Sequence, residues 1–175
     1  MAYDFDDFTA DMTSVLATKG VAGLNDIVAN LQELLKNAEF VATTFDEDMP
    51  PGKRVLFHDP KSGAYVQAHV HAGNKSGKPH SHGASWAVYG NALETTEMIE
   101  WQRLNPNNES HAVLKPVARY ALGSGQARAY GQYVIHSTAH PKKAWVIRII
   151  GTKLNELPRF HFNPATDIML DTVGA

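Results

Sequence analysis

Apolar positions in the first 40 residues follow the period of an α-helix. One set recurs at spacings of three and four residues: Leu24, Ile27, Val28, Leu31, Leu34 and Leu35. This spacing puts the set on one face of a helix, as in a helix that packs on a sheet. Asn25 could cap this helix, and Gly23 offers a competing start. A shorter helix is expected over residues 8–16.

The pattern changes at residues 46–52, where Pro50, Pro51 and Gly52 end the helical period. Beyond them, short apolar segments alternate with turn signals. The predicted strands cover residues 54–58, 64–72, 84–90, 94–103, 111–120, 126–136 and 144–150. We expect a loop at 73–77 and an irregular covering segment after Pro158. Many short strands at such spacing are typical of a β-sandwich or barrel.

The chain of 175 residues is the right length for one structural domain with one core. We expect a helical segment, residues 1–50, that packs on a mainly β barrel, residues 51–175. Neither an internal repeat nor a linker interrupts this plan.

Composition narrows the classes of function. The net charge is −2 and no basic stripe is present, so we expect no nucleic-acid partner. Apolar runs are too short to span a bilayer, and the acidic residues 1–11 do not resemble a signal peptide, so we expect a cytoplasmic protein with no membrane partner. The absence of cysteine excludes disulfides, thiolate metal sites and a cysteine nucleophile.

Histidine is abundant, with nine in the chain, and it is a common ligand of divalent metals. His80 and His82 are separated by one residue, so on a strand both imidazoles would point to the same face. Gly83 would let the backbone turn close to that site. Such a pair is also found among surface histidines, and His69 and His71 form a second one.

A third candidate ligand lies downstream. After a turn at residues 122–125, a predicted strand leads to His136. His136 would complete a set of three ligands with His80 and His82, and this set would leave positions open for substrate. A lone histidine is as often a packing residue. His140 could orient a ligand or shuttle a proton, or it could be a loop residue beside Pro141.

The segment Pro79-His80-Ser81-His82-Gly83, followed by Trp86-Ala87-Val88-Tyr89-Gly90, resembles the first motif of the cysteine dioxygenase family of cupins. That family's usual form is PHDHG, then a tryptophan and a VxG strand. Ile135-His136 resembles its third-ligand strand, and residues 151–154 and 159–164 are similar to its C-terminal segment. The resemblance covers roughly residues 24–164, although only the HxHG…W stretch is specific.

This resemblance implies a cupin double-stranded β-helix, or jelly-roll, barrel with Fe(II) on His80, His82 and His136, and oxygenation of a small thiol. In that family an arginine on an earlier strand pairs with the substrate carboxylate, and Arg54 fits that placement. The planar guanidinium suits bidentate binding of a carboxylate. A solvated cation at a strand end is the alternative for Arg54.

Two departures bear on the chemistry. The family's catalytic tyrosine and the histidine that orients it are replaced here by Ile150 and Arg148, so we expect poor cysteine dioxygenation. An inward Arg148 would favour an anionic substrate. The glutamate ligand of many cupins is also missing, because Glu94 lies too far along the chain. Three histidines without a carboxylate favour an anion bound directly to the metal.

Phenols from other strands could serve the site as catalytic or orienting groups: Tyr65, Tyr89, Tyr130 and Tyr133, foremost Tyr89 and Tyr133. The first hypothesis is an Fe(II)-dependent dioxygenase of a small carboxylate-bearing substrate, with Zn, Mn or Ni as alternative metals. The second is a non-oxidative lyase or isomerase, for example one similar to hydroxylaminobenzoate lyase. The third is a non-catalytic binding cupin. The roles of His69, His71 and Glu94 stay open, as does a homodimer formed through the sheets.

Overall fold

A computed structural model describes residues 2–46, 48–166 and 168–171, and within them three α-helices precede eleven β-strands. The helices are α1 (Phe5–Lys19), α2 (Leu24–Leu34) and α3 (Ala38–Thr44). The strands are β1 (Gly52–His58), β2 (Tyr65–His71), β3 (Lys75–Ser76), β4 (Ala87–Leu93), β5 (Thr96–Arg103), β6 (Leu114–Leu122), β7 (Ala127–Tyr130), β8 (Ile135–His140), β9 (Ala144–Ile150), β10 (Phe160–Asn163) and β11 (Ile168–Asp171).

Local signals in the sequence explain where the helices begin. At α1 the Asp4 carboxylate accepts from the Asp7 backbone N–H, and the Asp7 carboxylate accepts from that of Asp4, which forms a capping box. Helix α2 begins after Gly23 and not after Asn25. A Cβ at position 23 would collide with Val15, so the close approach of α1 and α2 requires glycine there. In the described part of the chain, no helix is long and apolar enough to cross a membrane.

The strands form two main antiparallel sheets. The first has the order β1-β2-β9-β4-β7 and the second the order β3-β8-β5-β6, while β10 and β11 form a separate hairpin. Successive strands pass repeatedly from one sheet to the other, which is the winding of a jelly roll, or double-stranded β-helix. The predicted fold class, a mainly β jelly roll with N-terminal helices, is therefore confirmed.

Three predicted boundaries are wrong. The strand expected over 126–136 is two strands, β7 and β8, which lie in different sheets. The chain breaks between them at Tyr133, whose φ of 61° is incompatible with a continuous strand. The loop expected at 73–77 contains the short strand β3, and the tail expected to be irregular forms the β10–β11 hairpin.

Alternation along the strands separates two apolar layers. On β9, Ile147 and Ile149 face the helices, where they pack in one core with Leu31 of α2. Val146 and Ile150 face the other sheet and belong to the barrel interior. Because residues two apart share a face, Arg148 must also point into the barrel.

The contact between α2 and β4 generates a prediction about stability. A Cβ on Gly90 of β4 would lie 2.6 Å from Leu31 Cδ2 and 2.9 Å from Leu35 Cδ1, and both leucines are buried. Gly90→Ala should lower the free energy of unfolding by about 1–3 kcal/mol through overpacking. Urea denaturation measures the change. Gly52→Ala on β1 is the control, because the nearest atom to its added Cβ lies 3.9 Å away. Equal stability of the two variants would contradict this account.

Candidate metal centre

The segment that carries His80 and His82 is extended but belongs to no named strand, although the two histidines were expected to share one face of a strand. Backbone hydrogen bonds hold it on both sides. The His80 N–H donates to the His136 carbonyl at 2.9 Å, and the His136 N–H donates to the His80 carbonyl at 3.0 Å. On the other side, the Ser81 N–H donates to the Phe160 carbonyl at 3.0 Å. The segment is therefore clamped between β8 and β10.

Gly83 ends the segment in the way the sequence suggests. Its φ is 58°, in the left-handed region, and an added Cβ would collide with the carbonyl oxygen of Pro158. The chain thus turns directly after His82. The Gly83 carbonyl then accepts from the Tyr133 N–H at 2.8 Å, which ties the β7–β8 turn to the same place.

The structure brings together the three histidines predicted as ligands. One nitrogen from each of His80, His82 and His136 can be chosen so that all lie within 4.8 Å of one another. The ring centroids of His80 and His82 lie 4.7 and 4.9 Å from that of His136. His82 and His136 are buried, and His80 is half-buried. Within the described residues this is the one such group of three potential ligands.

Their protonation suits metal binding. Burial lowers the pKa of His80 to about 4 and that of His136 to about 3, and it lowers the pKa of His82 well below its ordinary value. Because all three imidazoles are neutral near pH 7, each has a lone pair. His80 Nδ1 donates to the Lys78 carbonyl at 3.0 Å, which leaves Nε2 as the acceptor nitrogen.

The environment of His136 is the strongest indication that a metal ion binds at this site. Its ring is 1% exposed, yet neither nitrogen finds a hydrogen-bond partner among the described residues. A buried polar atom left in this state is destabilising, and coordination to a metal would relieve the cost. Three neutral nitrogen donors suit a divalent first-row transition metal. The residues present therefore fit such an ion.

Tyr89, a predicted catalytic or orienting residue, does lie at the cluster. Its hydroxyl is 3.3 Å from His82 Nε2, and its side chain is buried in the barrel interior. Burial raises the pKa of Tyr89, although the nearby positive charge of Arg148 acts in the opposite direction. The phenol is therefore neutral near pH 7 and keeps its proton.

Arg148 faces the barrel interior, which meets the condition under which it would favour an anionic substrate. It donates to Gln67 Oε1 at 2.9 Å, and the same oxygen lies 3.2 Å from His69 Nε2. Its charge contributes to the lowered pKa of all three histidines of the cluster.

A cavity of about 490 Å³ opens beside Arg148. Four cationic side chains line it: Lys53, Arg148, Lys153 and Arg159. None of its lining residues in the described part of the chain is acidic. Such a cavity attracts an anion.

Arg54 is placed away from the cluster. In the β1–β2 register it lies opposite Ala68, which belongs to the core between sheet and helices. Its guanidinium donates to the Thr44 carbonyl at the end of α3. This placement contradicts the prediction that Arg54 binds the substrate carboxylate. Lys53, one residue earlier, lines the cationic cavity instead.

Tyr133 is also misplaced by the prediction. It is 67% exposed on the β7–β8 turn, so its phenol belongs to the surface and not to the cluster. Glu94 likewise lies on a turn, where its carboxylate is 3.5 Å from Lys142 Nζ. The structure thus gives Glu94 an ion pair in place of a role as ligand.

His140 is buried, but its contacts lead away from the three ligands. Its Nδ1 lies 3.3 Å from Thr96 Oγ1, and its ring stacks on that of His71 at 3.9 Å. His71 in turn stacks on His69 at 5.6 Å. Parallel stacking does not aim the nitrogens at one point, and the second HxH pair therefore forms a histidine stack and not a second cluster of ligands.

Two further rings lie beside the ligands: that of Tyr130, one of the candidate phenols, and that of His161, which sequence reasoning missed. The ring of Tyr130 packs against His136 with centroids 4.8 Å apart, and that of His161 packs against His80 at 5.4 Å. Alternation on β7 would have placed Tyr130 in the barrel had β7 and β8 been separated. His161 lies on the hairpin that was expected to be irregular.

Comparisons with known proteins support the fold of the chain and do not identify its activity. No protein-family model matches the chain, and a search of curated proteins finds no match. Among solved structures, it is similar to a cupin superfamily protein from Desulfitobacterium hafniense, at 10% identity over 65% of this chain and 87% of that chain, with a TM-score of 0.46.

Two similar structures are enzymes. Hydroquinone 1,2-dioxygenase PnpCD, in complex with Cd²⁺ and 4-hydroxybenzonitrile, matches at 12% identity over 59% of this chain and 66% of that chain, with a TM-score of 0.47. The DMSP lyase DddQ from Ruegeria pomeroyi matches at 9% identity over 66% of this chain and 54% of that chain, with a TM-score of 0.44. The resemblance to cysteine dioxygenases stays a prediction from the sequence motif.

The histidine stack generates a prediction about pH. Burial lowers the pKa of His71 from 6.5 to about 4, and that of His69 to about 2. As the pH falls below about 6.5, the unfolded chain binds protons that the folded chain does not, so the free energy of unfolding must fall. Urea denaturation of metal-free protein at about pH 7 and pH 5 measures this loss. The loss should be smaller in His71→Gln, and an unchanged loss would show that His71 does not titrate in this way.

Proposed function

We propose that this protein is a metal-dependent enzyme in which His80, His82 and His136 hold one divalent metal and a small carboxylate-bearing substrate binds beside it. The observation that carries the proposal is the convergence of three neutral imidazoles, with the buried His136 nitrogens unpartnered among the described residues. The cationic cavity next to Arg148 supports an anionic substrate.

Iron(II) is the metal we propose first, with a dioxygenase reaction. Three protein ligands on one side of an ion leave open positions, an arrangement typical of non-haem iron oxygenases. When bound, the ion would supply Lewis acidity and, if it is iron, redox chemistry with dioxygen. The same three nitrogens suit Zn, Mn or Ni.

Arg148 is proposed to bind the substrate carboxylate. One of its terminal nitrogens is occupied by Gln67, which fixes the plane of the guanidinium. Its Nε is buried and has no partner among the residues that the structure describes. That N–H is therefore available to an oxygen of the carboxylate. Lys53 on the same cavity wall would add to the attraction.

Tyr89 favours a second candidate, a non-oxidative lyase or isomerase. Its neutral phenol holds a proton 3.3 Å from His82 Nε2. A positioned proton donor at a ligand is what proton transfer to or from a substrate requires. In this reaction Arg148 would hold the carboxylate while Tyr89 donates the proton.

Metal analysis and oxygen dependence separate the two candidates. Protein purified without added metal should contain a divalent metal bound near one per chain. Iron, with oxygen consumption on addition of a small carboxylate, supports the dioxygenase. Zinc, manganese or nickel, with turnover that persists without oxygen, supports the lyase or isomerase. Protein that binds none of these ions would overturn the metal-dependent proposal.

Loss of one ligand should weaken metal binding. His136→Ala removes one of three nitrogens, so we expect the affinity for Co²⁺ to fall by about 10-fold or more, because even changes outside the ligands cost 10–100-fold. Isothermal titration calorimetry measures the affinity. His140→Ala is the matched control, since His140 contacts Thr96 and His71 outside the cluster. Equal affinity of the two variants would remove His136 from the site.

Loss of the cation should weaken carboxylate binding. Arg148→Gln is expected to lower the affinity of Co²⁺-loaded protein for benzoate or 3-mercaptopropionate by about 10-fold, the scale of one charged hydrogen bond. The visible absorption of Co²⁺ reports binding. Arg54→Gln, on the opposite face of the sheet, is the control and should bind as the wild type does. The role of Arg148 is refuted if both variants bind equally.

A further inference from the structure

The orientation of His136 has an unusual origin. Metal-binding histidines normally donate the second ring N–H to a carbonyl or carboxylate, which fixes the ring. His80 follows this rule through the Lys78 carbonyl. His136 has no partner of good hydrogen-bond geometry among the described residues, although the Val134 backbone lies near enough to raise its pKa. Because this contact is weak, packing must contribute to holding its ring in the direction of the other two ligands.

Tyr130 supplies the surface on which the His136 ring rests. The two rings lie 4.8 Å apart with an interplanar angle of 30°, so the imidazole stacks on the phenol ring. Tyr89 meets the same imidazole edge-on at 5.7 Å and 74°. Tyr130 is 2% exposed, so water does not compete for this contact.

A chain of hydrogen bonds locks Tyr130 itself. Its hydroxyl is 2.7 Å from that of Tyr120, and the Tyr120 hydroxyl donates to Glu100 Oε1 at 2.7 Å. Arg128 lies 3.0 Å from the same carboxylate oxygen. A carboxylate can only accept a hydrogen bond, so the Tyr120 hydroxyl donates to Glu100 and accepts a hydrogen bond from the Tyr130 hydroxyl. The direction of every bond is therefore set.

The series of hydrogen bonds begins close to His136, the ligand whose ring it helps to orient. Glu100 on β5 lies directly opposite His136 in the β5–β8 register. From there the hydrogen bonds pass to Tyr120 on β6 and then to Tyr130 on β7, whose ring returns to His136.

We infer that Tyr130 is a positioning residue for His136: its ring, held by Tyr120 and Glu100, sets the direction of the imidazole by stacking, where no hydrogen bond of good geometry does so. This inference rests on the proposed metal site. It adds that the geometry of one ligand depends on a polar chain that reaches the barrel surface at Arg128.

A double-mutant cycle tests whether Tyr130 acts through His136. Tyr130→Leu removes the flat ring but keeps an apolar side chain. In the otherwise wild-type protein it should lower the affinity for Co²⁺ by about 10-fold or more. In the His136→Ala background the same change should have little effect, because the side chain through which Tyr130 acts is gone. An equal loss in both backgrounds, or no loss in the first, would overturn the inference.

A second variant keeps the test decisive if Tyr130→Leu does not fold. Tyr120→Phe preserves the apolar contacts and removes only the hydroxyl that links Tyr130 to Glu100. It should shift the Co²⁺ absorption spectrum through altered ligand geometry while thermal unfolding of the metal-free protein stays cooperative. A spectrum identical to that of the wild type would overturn the locking role. Wild-type protein that binds no Co²⁺ would instead refute the metal site on which the inference rests.

Discussion

The pair of backbone hydrogen bonds between His80 and His136 is the constraint on which the candidate site depends. It fixes the HxH segment against the beginning of β8, although that segment is part of no regular strand. The Ser81–Phe160 bond on the other side and the left-handed turn at Gly83 complete the clamp. Three side chains from two distant segments of the sequence thereby converge, because these backbone bonds fix the two segments against each other.

Side-chain alternation then decides which charges reach the interior. Arg148 on β9 and Lys53 on β1 line the cavity, whereas Arg54 lies on the face that the helices cover. A shift of one residue along a strand moves a side chain to the opposite face of the sheet. The cationic character of the cavity is thus a consequence of register.

Burial gives the site its electrostatic character. The histidines of the cluster are neutral because a charged imidazole is poorly solvated inside the barrel, and Tyr89 keeps its proton for the same reason. The cluster of neutral nitrogens therefore lies close to fixed cationic side chains that no acidic residue of the cavity lining neutralises. His136 has no hydrogen bond of good geometry among the described residues, so its packing against Tyr130 contributes more to the orientation of its ring.

Local periodicity in the sequence was enough to predict a β-sandwich or barrel and the amphipathic face of α2. The spacing of a short motif, and its resemblance to a cupin family, added the jelly-roll fold class and the three candidate ligands. Long-range contacts alone turn Arg148 into the barrel, put Arg54 and Tyr133 away from the site and set the stacking of Tyr130 on His136. The face of β1 depends on its pairing with β2, and the break between β7 and β8 depends on a positive φ at Tyr133. Neither is encoded in the apolar pattern, because strand pairing and turn geometry are set by contacts between residues far apart in the chain.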